Sequence, residues 1–127
     1  MPAIDVVLPL PPSTNNLYVN VPKVGRVRSK RYKAWIDEAG RAPIAGAWQR
    51  FSGEARNGIP WRLIVTVYGL RANADITNLI KPLEDLVCAM TGLEDCNTVE
   101  VIARKAGLGA LKDPCVMVWV NTMDEAA

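Results

Sequence analysis

Residues 61–70, WRLIVTVYGL, alternate, with Leu63, Val65 and Val67 on one side and Arg62, Ile64 and Thr66 on the other. That is the period of a β-strand with one face buried. A few residues later the period changes. Leu79, Leu83, Leu86, Val87 and Met90 form the apolar stripe of an amphipathic helix over about residues 77–90. A one-faced strand followed by a one-striped helix must bury the two against each other, so the chain is confined to folds that lay helix on sheet. Gly92 suits the helix stop. Pro82 stands about one turn in, near the last place a helix tolerates it. Strands follow at 98–106 and 115–122, joined by a turn over 107–114.

The N-terminal half supplies the rest of the layers. Residues 3–10, AIDVVLPL, read as a first strand, closed by Pro11 and Pro12 and by the turn chemistry of Ser13, Thr14, Asn15 and Asn16. Residues 17–28 read as irregular or as a loose hairpin around Gly25. Ser29 is placed to cap a helix from Lys30 that carries Tyr32, Trp35, Ile36 and Ala39 at helical spacing. Gly40 and Pro43 predict a kink or break, with helix resuming over Trp48–Phe51 and a loop over 52–60. The order is β–α–β–α–β–β. This is an α+β fold, one small domain over residues 1–127, with a mixed or antiparallel β-sheet and two main helices. Its 127 residues leave little room for a second domain.

The chain has no histidine. That excludes Ser-His-Asp and Cys-His catalysis and histidine-based zinc sites. Cys88, Cys96 and Cys115 are odd in number and widely spaced, which suggests neither a zinc knuckle nor a disulfide framework. No apolar run approaches the ~18 residues of a membrane helix, and the N-terminus does not read as a secretory signal. The expected setting is cytoplasmic, with no membrane partner. Chemistry must come from carboxylates, lysine, hydroxyls or a metal held by oxygen.

Charge is small in total, +2, but uneven. Lys23, Arg26, Arg28, Lys30, Arg31 and Lys33 stand within eleven residues that hold no acid. Asp75, Glu84, Asp85, Glu94, Asp95 and Glu100 share residues 75–100 with one base, Lys81. A basic arm suits a polyanion such as nucleic acid, and an acidic cluster suits a divalent cation. Either alone also reads as a solvated surface. On the helix, Asn78, Lys81, Asp85 and Cys88 lie opposite the leucine stripe, flanked by Thr77 and Glu84. Asp75 precedes the helix and Asp95 follows it. If the β–α–β unit brings its ends to one sheet edge, Asp75 and Asp95 face each other beside Lys81. That cluster would hold Mg²⁺ for phosphodiester hydrolysis, with Lys81 supporting the phosphate oxyanion or holding the attacking water. The plainer reading makes Asp75 a helix cap, Lys81–Asp85 a surface pair and Asp95 a turn residue. Trp35, Trp48, Trp61 and Trp119 read as core or interface anchors.

Four segments together resemble the RusA-type Holliday junction resolvases of bacteria and their phages. Leu8–Tyr18 (LPLPPSTNNLY) resembles the family's strand and PPS-x-N-x-x-Y signature, and Val27–Trp35 its basic loop leading into the first helix. Asp75–Leu86 (DITNLIKPLEDL) resembles its D-x-D-N-L-x-K…D-x-L motif, and Gly92–Val99 the glycine and acidic pair that follow. The resemblance implies a RusA-like homodimer and an endonuclease dependent on Mg²⁺, with Mn²⁺ as the alternative ion. Such an enzyme resolves four-way DNA junctions by paired symmetric nicks, in recombination and repair. Catalytic roles would fall to Asp75, Lys81 and Asp95. Metal ligation would fall to Asp75, Asp95, Glu84 and Glu94. Asn78 and Asp85 match further motif positions, Thr77 falls at another, and Lys23, Arg26, Arg28, Lys30, Arg31 and Arg71 are the candidate DNA contacts.

Two positions depart from the family pattern. Thr77 stands where a second catalytic Asp is usual, and a hydroxyl is a poor substitute for an anionic Mg²⁺ ligand. Without a gap, Asp95-Cys96 aligns with the acidic pair. With a one-residue shift Glu94-Asp95 does, which suits Mg²⁺ better than a thiolate. Glu84, seven residues after Thr77, is the candidate replacement carboxylate. The competing readings are a weakened member that binds branched DNA without cutting it, and a small interaction domain whose charges serve solubility.

Overall fold

The computed structural model describes residues 3–41, 48, 58–70, 74–106 and 113–123. Within them lies an α+β domain with two helices and a mixed sheet. Four strands, β1 (Ala3–Pro9), β4 (Trp61–Tyr68), β5 (Thr98–Ala106) and β6 (Cys115–Thr122), pair in the order β1-β6-β4-β5. The β1–β6 and β6–β4 pairs are antiparallel, and β4–β5 is parallel. Two short strands, β2 (Tyr18–Val21) and β3 (Gly25–Arg28), form a separate hairpin. The helices are α1 (Lys30–Arg41) and α2 (Ile80–Thr91).

Register explains the core. Ile4, Val120 and Leu63 stand in one row across β1, β6 and β4, followed by Val6, Val118 and Val65, then Leu8, Val116 and Val67. All nine are buried, and each contributes about 1.5–3 kcal/mol by leaving water. Onto this face α1 delivers Tyr32, Trp35 and Ala39, and α2 delivers Leu83, Leu86 and Val87. Trp48 joins the same core. The alternate residues face the other way, where Val7, Met117 and Ile102 are exposed.

Several local expectations change. The α-helical part of the second helix starts at Ile80, not Thr77, with Ile76–Leu79 forming a 3₁₀ turn. Pro82 is the reason. It has no N–H to donate and fits where it is third in the α-helix, because the first-turn N–H groups lack intrahelical partners. Gly92 closes α2 with φ of 84°, and its N–H donates to Cys88 O at 3.0 Å. Gly40 does not break α1, which runs to Arg41. The break near Pro43, the helix resuming over Trp48–Phe51 and most of the 52–60 loop lie outside the described residues, except that Trp48 is helical. Residues 18–28 form a defined hairpin turning through Pro22 and Lys23, which has φ of 67°. Ser29 caps α1 as expected, its Oγ accepting from Tyr32 N at 3.1 Å. No helix among the described residues is long and apolar enough to cross a membrane.

Candidate nucleic-acid interface

The basic arm is built on aromatic rings. Pairing of Tyr18 with Arg28 and of Asn20 with Arg26 sets the arginines along β3, and α1 begins directly after it. Arg26 lies 4.2 Å above the Tyr18 ring, and Arg28 lies 5.8 Å from the Tyr32 ring centre. Tyr18 meets Tyr32 edge-on at 5.9 Å, and Tyr32 stacks on Trp35 at 6.3 Å. Such contacts are worth about 0.5–1 kcal/mol each at an exposed site and hold the guanidinium groups in place. Lys23, Arg26, Arg28, Lys30 and Arg31 are all exposed. Arg71, the remaining candidate DNA contact, lies outside the described residues.

Segments distant in sequence converge beside this arm. Thr14 Oγ1 donates to Asn78 O at 2.7 Å, tying the N-terminal turn to the 76–79 turn. Ser29 Oγ donates to Asn16 O at 2.8 Å, tying the same turn to the hairpin. Tyr32 lies within electrostatic reach of Asp85 and Lys81 on α2, and burial first, then Asp85, pushes its hydroxyl pKa up. A groove of about 1050 Å³ opens between the end of β1, α1 and the 74–79 turn, with Asn16, Arg31, Asp75 and Asn78 in its wall.

The acidic residues form two separate groups. In the first, Asp75 Oδ1 accepts from Thr77 N at 3.1 Å and from Thr77 Oγ1 at 2.7 Å. These bonds hold its carboxyl below the usual range. In the second, Lys81 Nζ stands 3.0 Å from Asp85 and 3.9 Å from Asp95. The hydrogen bond to Asp85 raises its pKa, and Glu84 and Asp95 add to the effect. Glu84 Oε2 accepts from Thr98 Oγ1 at 3.0 Å, and Glu94 faces the Cys96 thiol at 3.8 Å. Half-buried Cys88 is pushed up to about 11 by burial, then by Glu84, Asp95 and Asp85.

Lys81 and Asp95 therefore meet as expected, but Asp75 does not join them. Parallel pairing is the cause. The helix that connects β4 to β5 leaves from their C-terminal end and returns to their N-terminal end. Lys105, near the end of β5, donates to Ala74 O. At the other end the Trp61 indole N–H donates to Glu94 O at 2.8 Å, holding the turn that carries Asp95. No group of three or more Cys, Asp or Glu side chains among the described residues could hold one metal ion. Mg²⁺ needs near-octahedral oxygen ligation. Here the Lys81 ammonium lies against both Asp85 and Asp95, while Glu84, Glu94 and Asp75 face other partners. The residues as placed do not fit Mg²⁺.

Sequence reasoning missed several supports. Thr98 holds Glu84, Thr14 holds the Asn78 backbone, and Trp61 holds the acidic turn. None of these has a spacing signal, because each acts across elements that only the fold brings together. The position of Tyr18 and Tyr32 beside a run of arginines was the available clue to the stacked arm. No protein-family model matches the chain, and no curated protein matches it.

Proposed function

We propose that this chain acts on four-way DNA junctions as a RusA-type structure-selective endonuclease, a homodimer whose subunits nick opposing strands. One observation carries the reading. Three of the four segments that resemble the family are joined by hydrogen bonds, Thr14 to Asn78 and Ser29 to Asn16, at the foot of an exposed, aromatic-backed basic hairpin. Guanidinium groups held on rings suit phosphate oxygens, which fix a protein's position on a nucleic-acid backbone.

A second reading also rests on a specific observation. The carboxylates are separated, and Thr77 engages Asp75 where an anionic ligand would be needed. That favours a protein that binds branched DNA without cutting it. The nuclease reading requires a divalent cation, Mg²⁺ or Mn²⁺, which the described residues of one chain as placed do not accommodate.

One assay separates the two. A labelled synthetic four-way junction and the matching linear duplex are incubated with Mg²⁺, Mn²⁺ or EDTA. Paired nicks that need both the ion and the junction establish the nuclease. Tight, salt-sensitive junction binding without nicks establishes the binder. Absence of binding at low salt overturns both.

A further inference from the structure

The groove between the end of β1, α1 and the 74–79 turn holds about 1050 Å³, the upper end of small-ligand sites. Half-buried Pro9, Leu10 and Leu70 give it an apolar lining, on which desolvating a phosphate is costly. Along α1 the wall is Arg31, Ala34 and Glu38, all exposed. Their spacing puts them on one face of the helix, with Arg31 and Glu38 about 10 Å apart along its axis. Arg31 also belongs to the basic arm, so arm and groove are continuous.

Charge orders the groove from one end to the other. The Arg31 guanidinium suits a phosphate oxygen, and the Glu38 carboxylate two turns on repels one. Between them the apolar lining suits a flat ring with little charge. On the wall formed by the 74–79 turn stands Asn78, whose backbone carbonyl is fixed by Thr14 Oγ1 at 2.7 Å. Its side-chain amide carries both donors and an acceptor, as the edge of a base does. A phosphate at one end, an apolar body and a polar edge are the parts of a nucleotide. A base inside a duplex cannot present itself in this way. One at a branch point can, because leaving the stack costs least where pairing is already interrupted.

We propose that the groove takes an unpaired nucleotide from the branch point of the bound DNA, its phosphate on Arg31 and its base in the groove. This rests on the DNA reading and names the part of the substrate that the groove holds. The test uses the full chain in EDTA and a synthetic four-way junction with 2-aminopurine placed in turn at each branch-point nucleotide. On binding, the fluorescence is expected to rise several-fold at one position, as that base leaves its stack. Ala34→Leu narrows the groove at an exposed helix position where leucine is a good helix former. It is expected to lose the rise and to bind the junction several-fold more weakly with the salt slope unchanged, since the phosphate contacts of the arm remain. An abasic residue at the responding position should weaken binding by the wild type several-fold and change binding by Ala34→Leu little, because both remove the same contact. A junction that does not bind at low salt overturns the DNA reading and this proposal together. A junction that binds with no rise at any position, a rise that Ala34→Leu keeps, or an abasic effect equal in the two proteins overturns this proposal alone.

Discussion

Trp61 links the core to the acidic turn, so Trp61→Phe probes both. The side chain is fully buried, and its indole N–H donates to Glu94 O at 2.8 Å. Phenylalanine removes that bond, worth about 1 kcal/mol net. It also removes ring volume, and a residual cavity of ~40 Å³ costs about 1 kcal/mol. The sum is about 2 kcal/mol, or roughly 8 °C in Tm for a domain of this size. Urea denaturation reads this as a lower midpoint at unchanged m value. Hydrogen exchange reads the local part. The Asn97 N–H, which donates to Glu94 O at 3.0 Å, should exchange faster than the global loss of stability explains. A destabilisation below about 0.5 kcal/mol, or Asn97 exchange that only tracks global unfolding, would refute the claim that Trp61 holds this turn.

Replacing Arg26, Arg28 and Lys30 together with Ala should weaken binding to all DNA sequences alike and lower the salt slope by about 2–3, measured by anisotropy across a salt series. Thr77→Val removes the hydroxyl bond to Asp75, so the Asp75 carboxyl should titrate closer to the ordinary range by NMR. Because folding lowers that pKa, the stabilisation it gives is present above the ordinary carboxylate pKa and is lost as pH falls through the lowered value, so acid unfolding of Thr77→Val should depend less on pH in that window. Alkylation near pH 8 followed by mass spectrometry should modify exposed Cys96 well before Cys88, whose thiol is pushed up to about 11. Ser29→Ala should cost about 1 kcal/mol through the lost α1 cap, read in the same urea titration.

Most of the fold was legible because its signals are local and periodic. The alternation through Leu63, Val65 and Val67 places β4, and the stripe through Leu83, Leu86 and Val87 places α2. The errors fall where one residue weighs against a periodic run. Pro82 moved the α-helical start from Thr77 to Ile80, since periodicity cannot say which turn is 3₁₀. Gly40 in the sequence predicts a kink or break, yet α1 passes through it, and a Cβ there would meet Met90 Sδ at 3.6 Å. Tertiary contact between α1 and α2 outweighs the weak intrinsic cost of glycine in a helix.

The site was legible only as far as the helix repeat reaches. Lys81 and Asp85 are four residues apart on α2, and the sequence requires them to be neighbours. Lys81 also reaches Asp95, because Gly92 turns the chain back and Trp61 fixes the turn that follows. Asp75 obeys a different constraint. Its position follows the C-terminal end of β4, and a parallel partner places the return of the chain at the other end. Spacing gives no access to that separation, since it depends on whether β5 pairs parallel or antiparallel with β4. The same geometry gives Thr77 its meaning. A second aspartate there would oppose Asp75 at hydrogen-bond distance and need a cation between them, whereas the hydroxyl donates to Asp75 and needs none. Thr77 thus secures Asp75 by a bond inside the chain, which is why the experiment that tests the proposed function compares junction cutting with junction binding.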